Sequence, residues 1–253
     1  MINIRLSQVI VMVLTCLPLV VIGKPLVSVV TEVKPSVVGV GIFRPMGTPR
    51  VKILGTGFAV AKGQWVATNA HVVDQALDPK TRQHYAVFAG SGDKITVIPV
   101  TVIAKDEDHD LAILALSGAK LPPMVLNTRW YQDGTEIAFT GFPIGAVLGL
   151  YPVTHKGIIS ARTPIAIPAD HSSQLSIQKL KRLREPFLTY QLDATAYPGN
   201  SGSPVYEQNS GEVIAIVNKV FVKETKEDVL RDPSHITYAI PTRYLQQLLD
   251  SIE

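Results

Sequence analysis

The chain is nearly devoid of cysteine. Its 253 residues include one, Cys16, which lies inside an apolar N-terminal run. A mature chain without that residue excludes a disulfide scaffold, a cysteine-ligated zinc site and a cysteine nucleophile. Charged residues are also few, at 18%, and the net charge is only +3. This weakly basic balance gives no indication of nucleic-acid binding or of attraction to a charged membrane surface.

The signatures of fibrous and disordered proteins are missing as well. The 18 glycines and 18 prolines follow no fixed period, and 46% of the residues are hydrophobic. We find no internal repeat and no low-complexity tract. The composition therefore indicates a globular protein that is rich in turns.

The N-terminus has the pattern of an export signal. Arg5 is the only charge before Lys24, Val9–Ile22 is almost wholly apolar, and Gly23 offers a small residue for cleavage. We therefore predict a signal peptide over residues 1–23 and an exported protein, either periplasmic or secreted.

Two other interpretations of this segment stay open. Residues 6–23 could act as an uncleaved membrane anchor, although the run is shorter than the ~20 apolar residues of a spanning helix and Pro18 interrupts it. A lipid anchor on Cys16 fits less well, because Thr15 precedes it and little apolar sequence lies ahead of it.

Most of the remaining chain consists of short β-branched stretches separated by turn residues, which predicts an all-β sandwich or barrel. Residues Ser117–Met124 interrupt this pattern near the middle and are interpreted as a linker. Twelve stretches are predicted as strands: Ser36–Phe43, Val51–Ala59, Gln64–Thr68, Tyr85–Phe88, Ile95–Ala104, Leu111–Leu116, Glu136–Thr140, Val153–Ser160, Leu188–Leu192, Gly202–Tyr206, Glu212–Val222 and Ile236–Ile240.

Two stretches have a helical period instead. Pro241 is a favourable first helical residue, and the apolar residues after it fall on one face, which predicts a closing helix over 241–252. A second candidate, Gln174–Glu185, combines leucines with four basic residues. We interpret it as a solvated surface helix in a long insertion, with a loop that contacts peptide or lipid as the alternative.

Three short segments contain residues suited to catalysis: Thr68–Val73 with a histidine, Asp108–Leu114 with aspartates and Pro198–Pro204 with a serine. Each alone is typical of a turn or a strand end. Together they supply a hydroxyl nucleophile, an imidazole to take its proton and a carboxylate to fix the imidazole tautomer. A glycine two residues before the serine also lets backbone N–H groups converge on an oxyanion.

These segments belong to a longer series of motifs that runs in order through the chain: Gly55–Phe58, Thr68–Val73, Asp106 with Asp110–Ala112, Gly141–Pro143, Gly157–Ser160, Asp193–Gly202 and Tyr238–Pro241. The series resembles a trypsin-like serine protease of the chymotrypsin fold, and most closely its HtrA/Deg branch. The resemblance implies an all-β fold, a chymotrypsin-like double six-stranded β-barrel with a C-terminal helix. Residues 24–253 would be the protease domain, with barrel 1 at about 34–117 and barrel 2 at about 125–240.

The resemblance also implies roles for individual residues. His71 would be the general base and later the acid, Asp110 would orient it, and Ser201 would be the nucleophile. Gly199 and Ser201 would supply the oxyanion N–H groups, with Asn200 between them. Asp106 and Asp108 stand at the wrong distance from the following strand and are expected to be turn residues.

The specificity pocket is expected around Thr195, six residues before Ser201, with Ile214–Lys219 as its wall and as the partner of the substrate backbone. The expected substrate-binding residues are Thr195, Ala196, Ile216, Val217 and Asn218. A neutral residue at position 195 argues against a Lys or Arg preference, so we expect small or medium apolar P1 residues.

The chain departs from the family pattern in several places. Ser203 stands where the family has a second glycine, no PDZ domain follows the closing helix, and Arg162–Pro186 is long enough for an activation or sensor loop. Relatives trimerise through the N-terminal segment, which makes Lys24–Val33 the candidate for a homotrimer contact.

The resemblance thus implies a serine endopeptidase of envelope quality control or regulated proteolysis, acting on polypeptides without a cofactor or metal. No nucleic acid is expected as a partner, and a membrane only if the N-terminal segment is uncleaved. A catalytically inactive protease fold that binds peptides is the alternative. An α/β esterase fits poorly, because Gly199–Ser203 lacks the last glycine of its motif. A metal hydrolase fits poorly too, because the remaining histidines stand singly: His84, His109, His155, His171 and His235.

Overall fold

The computed structural model describes residues 23–143, 149–164, 186–220 and 236–252. The predicted leader, except for Gly23, and the predicted helix Gln174–Glu185 lie outside the described residues. Most of the Arg162–Pro186 loop does so as well.

The described residues form two closed barrels of six antiparallel strands each, which confirms the predicted fold class. The first barrel has the order β1-β2-β3-β6-β5-β4 and contains β1 Val37–Phe43, β2 Val51–Val60, β3 Trp65–Thr68, β4 His84–Ser91, β5 Lys94–Asp106 and β6 Leu111–Leu116. The second has the order β10-β11-β12-β9-β8-β7 and contains β7 Glu136–Gly141, β8 Val153–Pro164, β9 Leu188–Asp193, β10 Pro204–Glu207, β11 Val213–Val220 and β12 Ile236–Pro241. Every predicted strand overlaps one of these.

Each barrel encloses a core of β-branched and aromatic side chains, and closure leaves no unpaired strand edge. A third apolar cluster lies between the barrels. It includes Phe58 and Ile113 from the first barrel and Tyr206 and Ile216 from the second, all fully buried. The two barrels are therefore packed against each other through this shared apolar cluster.

The predicted closing helix is present as α2, Thr242–Asp250. Pro241 is its N-cap residue and not its first helical residue. Leu245 and Leu249 are buried in the cluster between the barrels, so the apolar face of the helix packs against the barrels as predicted.

A further helix, α1, spans Leu26–Val33, and the sequence analysis did not predict a helix there. Its buried residues, Val29 and Val33, join the cluster between the barrels. The backbone N–H of Lys24 donates to the carbonyl oxygen of Asn209 at 3.1 Å, which ties the start of α1 to the second barrel. In residues 23–143, 149–164, 186–220 and 236–252, no helix combines the length and the apolar character needed to cross a bilayer.

Candidate active site

His71 and Asp110 meet because β3 and β6 are paired neighbours. Thr68, at the end of β3, lies opposite Ala112 near the start of β6. The residues that follow β3 and those that precede β6 therefore leave the barrel at the same edge. His71 stands in a short 3-10 helix, Ala70–Val73, directly after β3.

Two hydrogen bonds join this histidine to the aspartate. The ring Nδ1 of His71 lies 2.7 Å from Asp110 Oδ2, and the backbone N–H of His71 donates to Oδ1 at 2.9 Å. An ionised carboxylate only accepts hydrogen bonds, so Nδ1 carries the proton and Nε2 is left as an acceptor. The contact to the His71 ring is made by Asp110 and not by Asp106 or Asp108.

The backbone of Asp110 is held in an uncommon conformation. Its φ is +56°, in the left-handed region that non-glycine residues seldom adopt. Its carbonyl oxygen accepts from the backbone N–H of Ala70 at 3.2 Å and from the side-chain amide of Asn69 at 3.0 Å. Asn69, fully buried, is a supporting residue that the sequence analysis did not identify.

Ser201 lies in a tight turn that leads to β10. Gly199 and Gly202 adopt φ values of +100° and +88°, which only glycine reaches without strain. A side chain on Gly202 would also come within 2.0 Å of the Thr56 carbonyl oxygen. The turn is therefore pressed against the first barrel.

Thr56 of β2 makes that contact, and the sequence analysis assigned it no role. Its hydroxyl donates to the Gly199 carbonyl oxygen at 2.8 Å and accepts from the Phe142 N–H at 3.0 Å. Its backbone N–H donates to the Ser201 carbonyl oxygen at 2.8 Å. The motif Gly55–Phe58 was the only sequence signal for this residue.

Gly55 lies close to the segments that contain the histidine and the serine. A Cβ built on Gly55 would be 2.7 Å from the side chain of Val72, the residue after His71, and 2.9 Å from the Ser201 carbonyl oxygen. In the described structure, however, no hydrogen bond joins the His71 ring to the Ser201 hydroxyl. Catalytic hydrogen bonds are often long in the absence of substrate.

The N–H groups of the Ser201 turn differ in their partners. The Asn200 N–H donates to the Tyr197 carbonyl oxygen at 3.0 Å, so it does not face an incoming carbonyl group. The N–H groups of Gly199 and Ser201 donate to no acceptor in the described part of the chain. These two N–H groups are therefore available to an oxyanion. The Asn200 N–H is not, although Asn200 stands between the two residues in the turn.

The expected substrate-binding residues fall into two groups. Thr195 is half-buried, and Asn218 is 6% exposed near the end of the described wall. The side chains of Ile216 and Val217 are both buried, and their roles in substrate binding stay predictions. The Ile216 side chain is fully buried in the cluster between the barrels. The Val217 N–H donates to the Ser203 carbonyl oxygen, and the Val217 carbonyl oxygen accepts from the Gly202 N–H. Ala196 is fully buried as well.

A buried polar cluster lies beneath the turn. Ser203 and Asn200 are fully buried, and neither the Ser203 hydroxyl nor the Asn200 amide has a hydrogen-bond partner in the residues that are described. A Cβ on Gly141 would meet the Ser203 hydroxyl at 2.0 Å and Asn200 Oδ1 at 2.9 Å. Ser203, the departure from the family pattern, thus faces inward and fills space next to a glycine.

No group of three metal-ligating side chains occurs in the described ranges. His109 pairs with Asp106, and His155 stacks on Phe139 with ring centroids 4.8 Å apart. His171 and His235 lie outside the described residues.

The sequence of this chain is similar to those of known proteins. The model of the family described as trypsin-like peptidase domain matches residues 55–216. The "Probable periplasmic serine endoprotease DegP-like" of Chlamydia trachomatis is 30% identical over 203 residues, which cover 80% of this chain and 34% of the relative. The magnetosome formation protease MamE of Paramagnetospirillum magneticum is 29% identical over 225 residues, covering 79% of this chain and 27% of the relative. The chain therefore spans about a third of the length of these relatives.

Solved structures share the fold. The active form of the Rv3671c protease from M. tuberculosis superposes with a TM-score of 0.66 at 23% identity, covering 100% of this chain and 94% of that one. The serine endoprotease from Yersinia pestis superposes with a TM-score of 0.63 at 22% identity, covering 90% of this chain and 66% of that one. Because the family model matches more than half of its residues, the chain belongs to the trypsin-like peptidase domain family.

Proposed function

We propose that the chain is a serine endopeptidase, with Ser201 as nucleophile, His71 as general base and acid, and Asp110 as the group that orients His71. One observation carries the proposal. His71, whose tautomer is fixed by a buried carboxylate, is followed by Val72, which packs against Gly55. The Ser201 turn, which offers two N–H groups without acceptors in the described residues, packs against the same glycine.

The proposed reaction has two halves. His71 Nε2 takes the Ser201 proton as Oγ attacks the carbonyl carbon of the scissile bond. The resulting oxyanion is held by the N–H groups of Gly199 and Ser201. The C–N bond then breaks, His71 gives its proton to the leaving amine, and an acyl ester remains on Ser201. Water deprotonated by His71 attacks that ester, and the proton returns to Ser201 as the acid product leaves.

Polypeptides are the proposed substrates. The neutral Thr195 supports a preference for small or medium apolar P1 residues over Lys or Arg. Asn218, the last wall residue whose burial is described, is 6% exposed, and Ile216 and Val217 beside it stay substrate-binding candidates. The roles of Thr195 and Asn218 stay predictions.

The place of action is proposed to be outside the cytoplasm. The relatives named DegP-like are described as periplasmic, and the apolar segment over residues 1–23 has the pattern of a leader. Quality control or regulated proteolysis in the envelope is the corresponding role. Trimerisation through Lys24–Val33 stays a prediction; α1 buries Val29 and Val33 against its own domain.

An inactive fold that binds peptides is the second candidate, favoured by the missing hydrogen bond between the His71 ring and the Ser201 hydroxyl. A fluorophosphonate probe separates the two, because it reacts only with an activated serine. We expect the wild type and Ser203→Ala to be labelled and Ser201→Ala to be unlabelled and unable to cleave a peptide library. Ser203→Ala is the matched control, since it removes a hydroxyl from the same turn. An unlabelled wild type would favour the binding protein, and label on Ser201→Ala would place the nucleophile elsewhere.

A further inference from the structure

A second histidine–aspartate pair directly precedes Asp110. The ring Nδ1 of His109 lies 2.6 Å from Asp106 Oδ2, and the His109 backbone N–H donates to Asp106 Oδ1 at 3.0 Å. Burial acts to raise the pKa of the Asp106 carboxyl, but the hydrogen bonds from the His109 ring and backbone outweigh it and hold that pKa below its ordinary value. The turn between β5 and β6 is thus closed by a hydrogen-bonded pair of side chains.

The His109 ring is also packed against the second half of the protein. It stacks on Tyr244 with centroids 4.1 Å apart and an interplanar angle of 19°, and it meets Phe187 edge-on at 4.6 Å. Phe187 and Tyr244 contact each other at 5.3 Å. Tyr244 lies in the first turn of α2 and Phe187 just before β9, so both belong to elements that follow or enter the second barrel. The rings of Phe187 and Tyr244 therefore hold the His109 ring, and with it the β5–β6 turn of the first barrel, in place.

Asp110 depends on this turn because its backbone is strained. A left-handed conformation is unfavourable for a non-glycine residue, and it persists only where the surroundings hold it. Ala70 and Asn69 hold the carbonyl side of Asp110. The peptide on its other side belongs to His109. If His109 moved, the residue could relax to negative φ, and its carboxylate would turn away from the His71 ring.

We propose that Tyr244 is a positioning residue for Asp110, acting through the His109 ring and its bond to Asp106. The C-terminal helix then sets the geometry of the proposed triad without touching it. This inference rests on the proposed function, because it concerns the orientation of the same Asp110 carboxylate.

The test compares Tyr244→Leu, Tyr244→Phe and Ile252→Ala in the full chain. Activity is measured with a fluorogenic peptide carrying valine at P1 and as the rate of fluorophosphonate labelling. We expect Tyr244→Leu to lower kcat and the labelling rate at least tenfold with KM within twofold of wild type. Tyr244→Phe keeps the ring and should stay within twofold in all values. Ile252→Ala removes a half-buried apolar group beyond α2 and leaves the ring contacts of His109 with Phe187 and Tyr244 in place, so it should lower Tm and leave kcat unchanged.

Two further variants show whether the effect passes through His109. His109→Phe keeps an aromatic ring against Tyr244, but its side chain cannot donate to Asp106, and we expect it to lose kcat as well, even if Tyr244→Leu fails to fold. The double variant His109→Phe/Tyr244→Leu should lose no more activity than His109→Phe or Tyr244→Leu alone, because residues in one chain of contacts are not additive.

The inference would be overturned by wild-type kcat in Tyr244→Leu or His109→Phe, or by equal losses in Tyr244→Leu and Ile252→Ala. A wild type that reacts with neither reagent would overturn the proposed function instead.

Discussion

The hydroxyl of Thr56 donates a hydrogen bond to the carbonyl oxygen of Gly199, 2.8 Å away, and so links a strand of the first barrel to the turn that contains Ser201. The same hydroxyl accepts from the N–H of Phe142, which follows β7. One buried oxygen thus connects three segments. This contact orients the peptide between Gly199 and Asn200, which lies between the N–H groups of Gly199 and Ser201 in the turn.

Thr56→Val therefore tests whether this hydrogen bond positions the turn that contains Ser201. Valine has nearly the same shape but can neither donate to Gly199 nor accept from Phe142. Outright loss of an oxyanion donor costs about 10²–10³ in kcat, so a misplaced donor should cost about tenfold or more. Steady-state kinetics should show the loss in kcat with little change in KM. Thr56→Ser keeps the hydroxyl and should retain most of the activity; equal losses in both variants would contradict the role of this hydrogen bond.

Ser203→Ala tests the polar cluster beneath the turn. The Ser203 hydroxyl is fully buried without a partner in the described structure, and an unpaired buried hydroxyl costs about 1–3 kcal/mol. Its removal should raise the free energy of unfolding by about 1 kcal/mol, or Tm by about 2–4 °C in a protein of this size. Calorimetry measures the shift.

Thr140→Val is the control for that experiment. The Thr140 hydroxyl is also buried, but it is bonded to Thr154 at 2.9 Å and to Tyr206 at 2.8 Å. Its loss should lower Tm, because two partners lose a hydrogen bond. A decrease of Tm in both variants would show that the Ser203 hydroxyl is satisfied after all.

His155 predicts a dependence of stability on pH. Burial lowers the pKa of this imidazole, which stacks on Phe139. Below about pH 6.5, where an ordinary histidine takes up a proton, the unfolded chain binds a proton that the folded chain excludes. The contribution of His155 to stability is therefore full above pH 6.5 and declines as the pH falls from there toward its folded-state pKa.

Denaturant unfolding of the wild type and of His155→Phe measures this effect. We expect the free energy of unfolding of the wild type to fall more steeply than that of the variant between pH 7.5 and 5.5. Parallel curves would mean that His155 takes up its proton in the folded protein as readily as in the unfolded one.

Much of the fold was accessible from sequence because its determinants are local. The β-branched runs and the turn residues between them give all twelve strands, and the apolar spacing after Pro241 gives α2. In contrast, α1 contains Val27, Val29 and Val30, which favour strands by themselves. The burial of Val29 and Val33 between the barrels stabilises a helix there, and sequence period does not report such a tertiary contact.

The site was accessible only where side-chain chemistry is distinctive. His71, Asp110 and Ser201 stand out as residue types in short motifs. Thr56 contacts a residue 143 positions away along the chain, and apart from its place in the motif Gly55–Phe58 nothing distinguishes it from an ordinary strand threonine. The roles of the wall residues Ile216 and Val217 are harder to derive, because the position of a strand relative to the serine turn depends on register, and register is not known from the sequence alone.

The apolar cluster between the barrels has a mechanical consequence. Phe58 of the first barrel, Tyr206 of the second, and the buried residues of α1 and α2 all belong to it. Any hinge motion between the barrels would expose hydrocarbon from both halves to water at once, which is unfavourable. We therefore expect the two barrels to move as one rigid unit.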